Sequence, residues 1–223
     1  MTVDPSLVVD LPGHTVRRAV VSGMYNNVYL ITSKATGVQV LIDAADDLPA
    51  INELFETAGG DAAVPPSIAM IATTHQHWDH IRALAALTGQ TGAPTAAGAE
   101  DVAGIDAGAG VLANQALDHG DTLNVDGITL ACVHLRGHTP GSIAYVLESG
   151  TGPAVIFSGD SLFPGGVGNT EKDPERFTQL LDDVEERLFR VYADDTLVLP
   201  GHGDATTLGA ERPSLPQWRE RGW

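Results

Sequence analysis

Within six residues, His75-Gln76-His77-Trp78-Asp79-His80, the chain carries three imidazoles and a carboxylate. The cluster follows a short apolar run, Ile68–Ala72, that reads as a strand. Neutral imidazole and carboxylate are the donors that borderline cations such as Zn²⁺ prefer. His75 and His77 in an extended turn can converge on one ion, while Asp79 and His80 point elsewhere and can serve a second. A chain with this segment has to fold so that a strand opens into a polar loop.

Three more donors each follow an apolar run. His138 follows Ile128–Leu135, in Arg136-Gly137-His138-Thr139-Pro140-Gly141-Ser142. Asp160 follows Ala154–Phe157, in Ser158-Gly159-Asp160, and His202 follows Thr196–Leu199, in Pro200-Gly201-His202-Gly203. The flanking glycines allow backbone conformations that aim a side chain out of the end of a sheet. Strands lying side by side would open all four loops on one rim, the usual place for a site on such sheets. A single histidine after a strand is more often an ordinary packed or surface residue. Seven donors at strand ends point jointly to a metal centre. His134 alternates with Cys132 in a strand, His119 sits beside Gly120 and Asp121 in a turn, and neither of them nor His14 has such partners.

The rest of the chain alternates strands and helices. Val16–Val21, Val28–Thr32 and Val38–Ile42 read as hairpin-connected strands bounded by glycines. Helices are expected over Leu48–Thr57 and His80–Leu87, and further strands over Ile143–Leu147 and the apolar runs above. Gly89–Gly110, dense in Gly and Ala, reads as a surface excursion. The clearest helix runs from Pro174 to about Tyr192, with Asp173 as its N-cap. Phe177, Leu180, Leu181, Val184 and Leu188 recur at helical spacing, and Asp182, Asp183, Glu185 and Glu186 read as its solvated face. The pattern is that of one mixed α/β domain, residues 1–223.

Composition narrows the function classes. The formal net charge of −17 repels phosphate backbones and anionic lipid, so neither nucleic acid nor membrane is expected as a partner. No apolar run approaches the roughly 18 residues of a membrane span. The first fourteen residues hold Asp4 and Asp10 and no basic cluster, unlike a signal peptide. A cytoplasmic location is the expectation. The single cysteine, Cys132, excludes an intramolecular disulfide and reads as a buried, inert thiol.

The motif formed by His75, His77, Asp79 and His80, followed in order by His138, Asp160 and His202, resembles the metallo-β-lactamase superfamily over roughly Val16 to Arg212. The resemblance implies an α/β fold, a four-layer αββα sandwich. It implies two divalent ions, Zn with Fe or Mn as alternatives: one held by His75, His77 and His138, one by Asp79, His80 and His202, with Asp160 bridging. Two ions about 3.5–4 Å apart can share a water and lower its pKa toward about 7, which would supply a bridging hydroxide, with Asp79 both ligand and catalytic orienting group.

Gly159-Asp160-Ser161-Leu162-Phe163 and Gly201-His202-Gly203-Asp204-Ala205-Thr206-Thr207-Leu208-Gly209 are similar to segments of glyoxalase II-like hydrolases. That implies a small-molecule substrate, a hydroxyacyl thioester or related ester. The alternatives are a lactone and, in a different class, iron-dependent oxidation of a persulfide. The sequence departs from glyoxalase II proper at Gly168-Asn169-Thr170-Glu171, where a lysine and aromatic residues that help hold glutathione are absent. Substrate contacts are therefore assigned to Asn169, to Arg82 beside the cluster and to Arg212 in the C-terminal tail. Arg82 could equally pair with an acidic neighbour.

Overall fold

The structure is a computed structural model that describes residues 4–148, 150 and 152–222. The start of the N-terminal stretch, Met1–Val3, lies outside the described residues.

Two sheets face each other. The first has seven strands in chain order: β1 (Leu7–Asp10), β2 (His14–Val21), β3 (Asn26–Ser33), β4 (Val38–Ile42), β5 (Ser67–Ala72), β6 (Thr95–Gly98) and β7 (Gln115–Leu117). Its first four strands are antiparallel hairpins. From β4 onward the pairing is parallel, so each link crosses over through a helix: α1 (Leu48–Thr57), α2 (Leu84–Thr91) and α3 (Val102–Ala109).

The second sheet contains β8 (Thr122–Val125), β9 (Ile128–His134), β10 (Ile143–Leu147) and β11 (Val155–Gly159). A small hairpin follows, β12 (Leu162–Phe163) with β13 (Gly166–Val167). Helix α4 (Pro174–Val184) then crosses back to β14 (Leu197–Pro200), which runs parallel to β11, and β15 (Thr206–Thr207) closes the edge. Two short helices, α5 (Leu208–Glu211) and α6 (Leu215–Arg221), end the described chain.

The layers follow from alternation of side chains. Tyr29, Ile31, Val40, Ile42 and Met70 of the first sheet meet Tyr145, Phe157, Cys132 and Leu199 of the second in one core. The Tyr29 and Phe157 rings touch edge-on, 5.5 Å apart, across that interface. The intervening residues Val28, Leu30, Leu41 and Ile71 face outward under α1, α2 and α3. On the other side Ala144, Val146, Ile156 and Val198 pack under α4 and α6. Central strands are thus covered on both faces, which is why they read as unbroken apolar runs. The result is the αββα sandwich.

Three expectations need correction. The helix expected over His80–Leu87 begins at Leu84 instead, because Trp78–His80 forms a tight 3₁₀ turn that buries Asp79 and His80 in the site. Gly89–Gly110 is not a surface excursion: it contains β6, buried along its whole length, and α3. Its small residues let the sheet and a neighbouring turn approach closely. In α4, capped by Asp173 through the amides of Glu175 and Arg176, the acidic run is not all solvated. Asp183 is buried and binds the Arg136 guanidinium at 2.7 and 2.8 Å. The helix continues beyond Val184 as a π turn, Glu185–Phe189.

Candidate metal centre

β9, β11 and β14 run in one direction, because β10 is antiparallel to both of its neighbours and β14 is parallel to β11. Their carboxyl ends carry His138, Asp160 and His202. β5 of the facing sheet ends just before His75. The rim between the two sheets therefore collects all seven donors, as three overlapping groups whose ligand atoms lie within 4.8 Å of one another. The groups are His75, His77 and His138; Asp79, His80 and His202; and His75, His80 and Asp160.

The outer partners fix which ring nitrogen faces inward. The Thr74 hydroxyl donates to Asp43 Oδ2 at 2.7 Å, so it accepts from His75 Nδ1 at 3.0 Å. His80 Nδ1 donates to Asp43 Oδ2 at 2.9 Å. His138 Nδ1 donates to the Asn169 carbonyl at 2.8 Å, and His202 Nδ1 to the Met24 carbonyl at 3.0 Å. Each of the four rings thus turns its Nε2 toward the centre. His77 turns its Nδ1, which lies 3.1 Å from His75 Nε2.

These inward atoms face one another across the centre, with the Asn26 amide at its edge 3.3 Å from His202 Nε2. His80 Nε2 and His202 Nε2 are 3.2 Å apart. His138 Nε2 and Asp160 Oδ1 are buried with no hydrogen-bond partner. Two donors held about 2.0–2.1 Å from one tetrahedral ion lie about 3.3 Å apart, which matches these separations. Asp160 faces both groups, with Oδ1 3.5 Å from His80 Nε2 and Oδ2 3.7 Å from His138 Nε2 and 3.5 Å from His202 Nε2. The residues present fit a pair of divalent ions.

In the metal-free protein the same groups compensate one another. Burial, aided by the neighbouring imidazoles, keeps His75 well below its ordinary pKa and therefore neutral. Burial would also lower His80, but the carboxylates of Asp160 and Asp43 outweigh it and push the ring up to about 10. Burial would raise Asp79, but His202 and the Asn26 amide, which donates to Oδ2 at 2.9 Å, hold it well below the carboxylate range.

Glycine at position 201 is required by contact: a Cβ there would collide with the Asp160 carboxylate and the His80 ring. Sequence reasoning missed Asp43, Asn26 and Asn27. Asp43 was within reach, since it follows the apolar strand β4 just as the ligands follow theirs. Asn27 gave no signal, though its side chain donates to the Pro200 and Gly203 carbonyls on either side of His202, at 2.9 and 3.0 Å.

A model of the metallo-beta-lactamase superfamily matches residues 21–202. The chain belongs to that superfamily. Among curated relatives, a hydroxyacylglutathione hydrolase of Ruegeria pomeroyi is 32% identical over 178 residues, 79% of this chain and 62% of that protein. The hydroxyacylglutathione hydrolase GloC of Haemophilus influenzae is 36% identical over 97 residues, and the match spans 44% of each chain. The chain thus spans less than two thirds of the length of either relative. The crystal structure of TTHA1623 in a di-iron-bound form is 30% identical, with a TM-score of 0.66, covering 87% of this chain and 96% of that one. No helix among the described residues of this superfamily member is long and apolar enough to cross a membrane.

The three residues assigned to substrate divide. Arg82 is paired with Asp46 at 2.7 Å and lies 3.8 Å over the Trp78 ring, so the acidic neighbour takes its charge. The Arg212 guanidinium binds Asp194 at 2.6 Å and the carbonyls of Phe189 and Tyr192, tying the tail to the end of α4. Asn169 orients His138 through its carbonyl, and it also lines a cavity of about 440 Å³. Phe163, Val167, Lys172 and Arg221 share the lining, so α6 brings up a cation from the tail, but Arg221 rather than Arg212.

Proposed function

We propose that the protein is a binuclear metal-dependent hydrolase acting on thioesters of the hydroxyacyl-thiol kind or on related esters. The observation that carries the reading is the convergence of the seven donors, two groups of three with the Asp160 carboxylate between them. The names of the curated relatives, hydroxyacylglutathione hydrolases, favour a thioester over other acyl substrates.

When bound, the ions would supply Lewis acidity and a water acidic enough to react near neutral pH. His75, His77 and His138 would hold the first, and Asp79, His80 and His202 the second. Asp79 is fixed by Asn26 and accepts hydrogen bonds only, so it is suited to orient the attacking water. No serine or cysteine nucleophile is needed: burial pushes the Cys132 thiol up to about 11. A thiolate departs without protonation, which suits a centre whose titratable groups are all engaged as donors to metal. The thiol half would extend toward the cavity that Asn169 lines, where Lys172 offers a cation to an anionic group.

The test is turnover of S-lactoylglutathione, a simple uncharged thioester and a lactone by the protein loaded with Zn²⁺, Mn²⁺ or Fe²⁺. Metal-dependent thioester cleavage is expected. Absence of turnover on all of them overturns the reading. One iron per chain with oxygen uptake on a persulfide would replace it with the oxidative alternative.

A further inference from the structure

The first group of donors is assembled from two segments that belong to different sheets. His75 and His77 extend from β5, and His138 sits in the turn between β9 and β10. One buried carboxylate bonds to both. Asp101, at the end of a 3₁₀ turn after β6, is fully buried. Its Oδ2 accepts from the Gln76 amide at 2.9 Å and from the Thr139 hydroxyl at 2.6 Å, and its Oδ1 accepts from the Gly141 amide at 2.7 Å. Gln76 lies between His75 and His77, and Thr139 follows His138.

The polarity of this network is fixed. Thr139 Oγ1 donates to Asp101, so at 2.6 Å it accepts from Ser142 Oγ. The approach is backbone-tight: a Cβ on Gly141 would meet the Asp101 main chain and carboxyl group, and one on Gly98 would meet the Gly141 carbonyl. The turn bearing His138 is gripped from its other side by Arg176, whose guanidinium donates to the carbonyls of Gly137 at 2.8 Å and His138 at 2.7 Å.

The second group has a separate tie. The Asn27 amide donates to the Gly201 carbonyl at 2.7 Å, its side chain holds Pro200 and Gly203, and Tyr29 Oη donates to the Pro200 carbonyl at 2.8 Å. None of these bonds involves the His138 turn.

We propose that Asp101 is a positioning residue that latches the His138 turn onto the His75–His77 segment, and that it sets the affinity of the first ion independently of the second. The inference rests on the metal-centre reading. Orienting partners of metal ligands typically control 10–100-fold in affinity. Replacing Asp101 by asparagine keeps the volume but turns an amide donor toward at least one of three donors.

The experiment is titration of the metal-free full chain with Zn²⁺, with histidine ring ¹⁵N NMR to identify the imidazoles engaged at each step. Wild type is expected to take two ions. Asp101→Asn should weaken the ion seen by His75, His77 and His138 about 10–100-fold and leave the other within about twofold. Thr139→Val, which removes one leg of the latch and is milder for folding, should weaken the same ion by less. Asn27→Ala should reverse the pattern. Equal weakening of both ions in Asp101→Asn, or wild-type affinity at both, overturns the latch. A wild-type chain that takes up no ion overturns the metal-centre reading beneath it.

Discussion

Asp160 is the donor whose loss should be felt at both ions at once. Its two oxygens lie 3.5–3.7 Å from imidazole nitrogens of both groups, so Asp160→Ala removes one ligand from each four-donor set. Loss of a direct ligand should cost at least the roughly 100-fold that orienting mutations reach. A hundredfold weaker affinity corresponds to about 2.7 kcal/mol of metal-linked stability per ion, hence about 5 kcal/mol for two. For a domain of this size each kcal/mol moves the melting temperature by about 2–4 °C. The metal-loaded variant should therefore melt about 10–20 °C below the metal-loaded wild type. Metal-free forms should differ much less, because Asp160 then offers only ion pairs that offset its own burial. The assay is a pair of thermal melts, with excess Zn²⁺ and with chelator, alongside metal content by mass spectrometry. Two ions retained at wild-type affinity, with an unchanged metal-loaded melt, would refute the bridging role.

Other outcomes follow from the same geometry. The Cys132 thiol, buried and raised to about 11, should resist iodoacetamide at pH 8 in the native protein and react at once in denaturant; rapid native labelling would contradict its place in the core. Burial would raise the Asp183 carboxyl, but the side chain and amide of Arg136 outweigh it and hold it below its ordinary value near 3.8. Its stabilising contribution is therefore complete above that value and drains away as pH falls toward the lower folded one. Asp183→Asn should cost about 2 kcal/mol at pH 7, and urea melts at pH 7, 5, 4 and 3 should show the gap narrowing only below about 4; a constant gap would refute the ion-pair account. Lys172→Ala should raise KM about fivefold for thioesters carrying a carboxylate on the thiol half, roughly 1 kcal/mol, with kcat unchanged; equal effects on charged and uncharged thioesters would remove the cavity from substrate binding.

The fold was legible where burial is symmetrical. Strands such as Ile143–Leu147 and Val38–Ile42 lie between two apolar layers, so their runs stand out, and the sequence boundaries match the structure there. Where a strand is short or made of small residues, the signal vanishes. β6 reads Thr-Ala-Ala-Gly, and only its parallel pairing with β5 and β7 makes it a strand. Its small side chains are what the close approach to Gly141 needs, so the feature that hid it from pattern reading is the one that lets Asp101 reach the His138 turn.

The site shows the same division between what a residue is and what it touches. Ligand-type residues announce themselves by chemistry, and all seven converge. Their supports do not. Asp43, Asp101, Asn26 and Asn27 are common residue types with no spacing that marks them, and each acts on a ligand 30 or more positions away in sequence. The tautomer of His75 depends on a hydroxyl that is itself polarised by Asp43, a relation three side chains deep. Substrate contacts are harder still. Arg82 and Arg212 looked available because their partners, Asp46 and Asp194, are among many acidic residues in a chain of net charge −17. In so acidic a protein an arginine near the centre is more readily captured by a local carboxylate than left for a ligand. Lys172, exposed on the lining of the cavity that Asn169 shares, is the cation whose replacement tests whether any is left for a ligand.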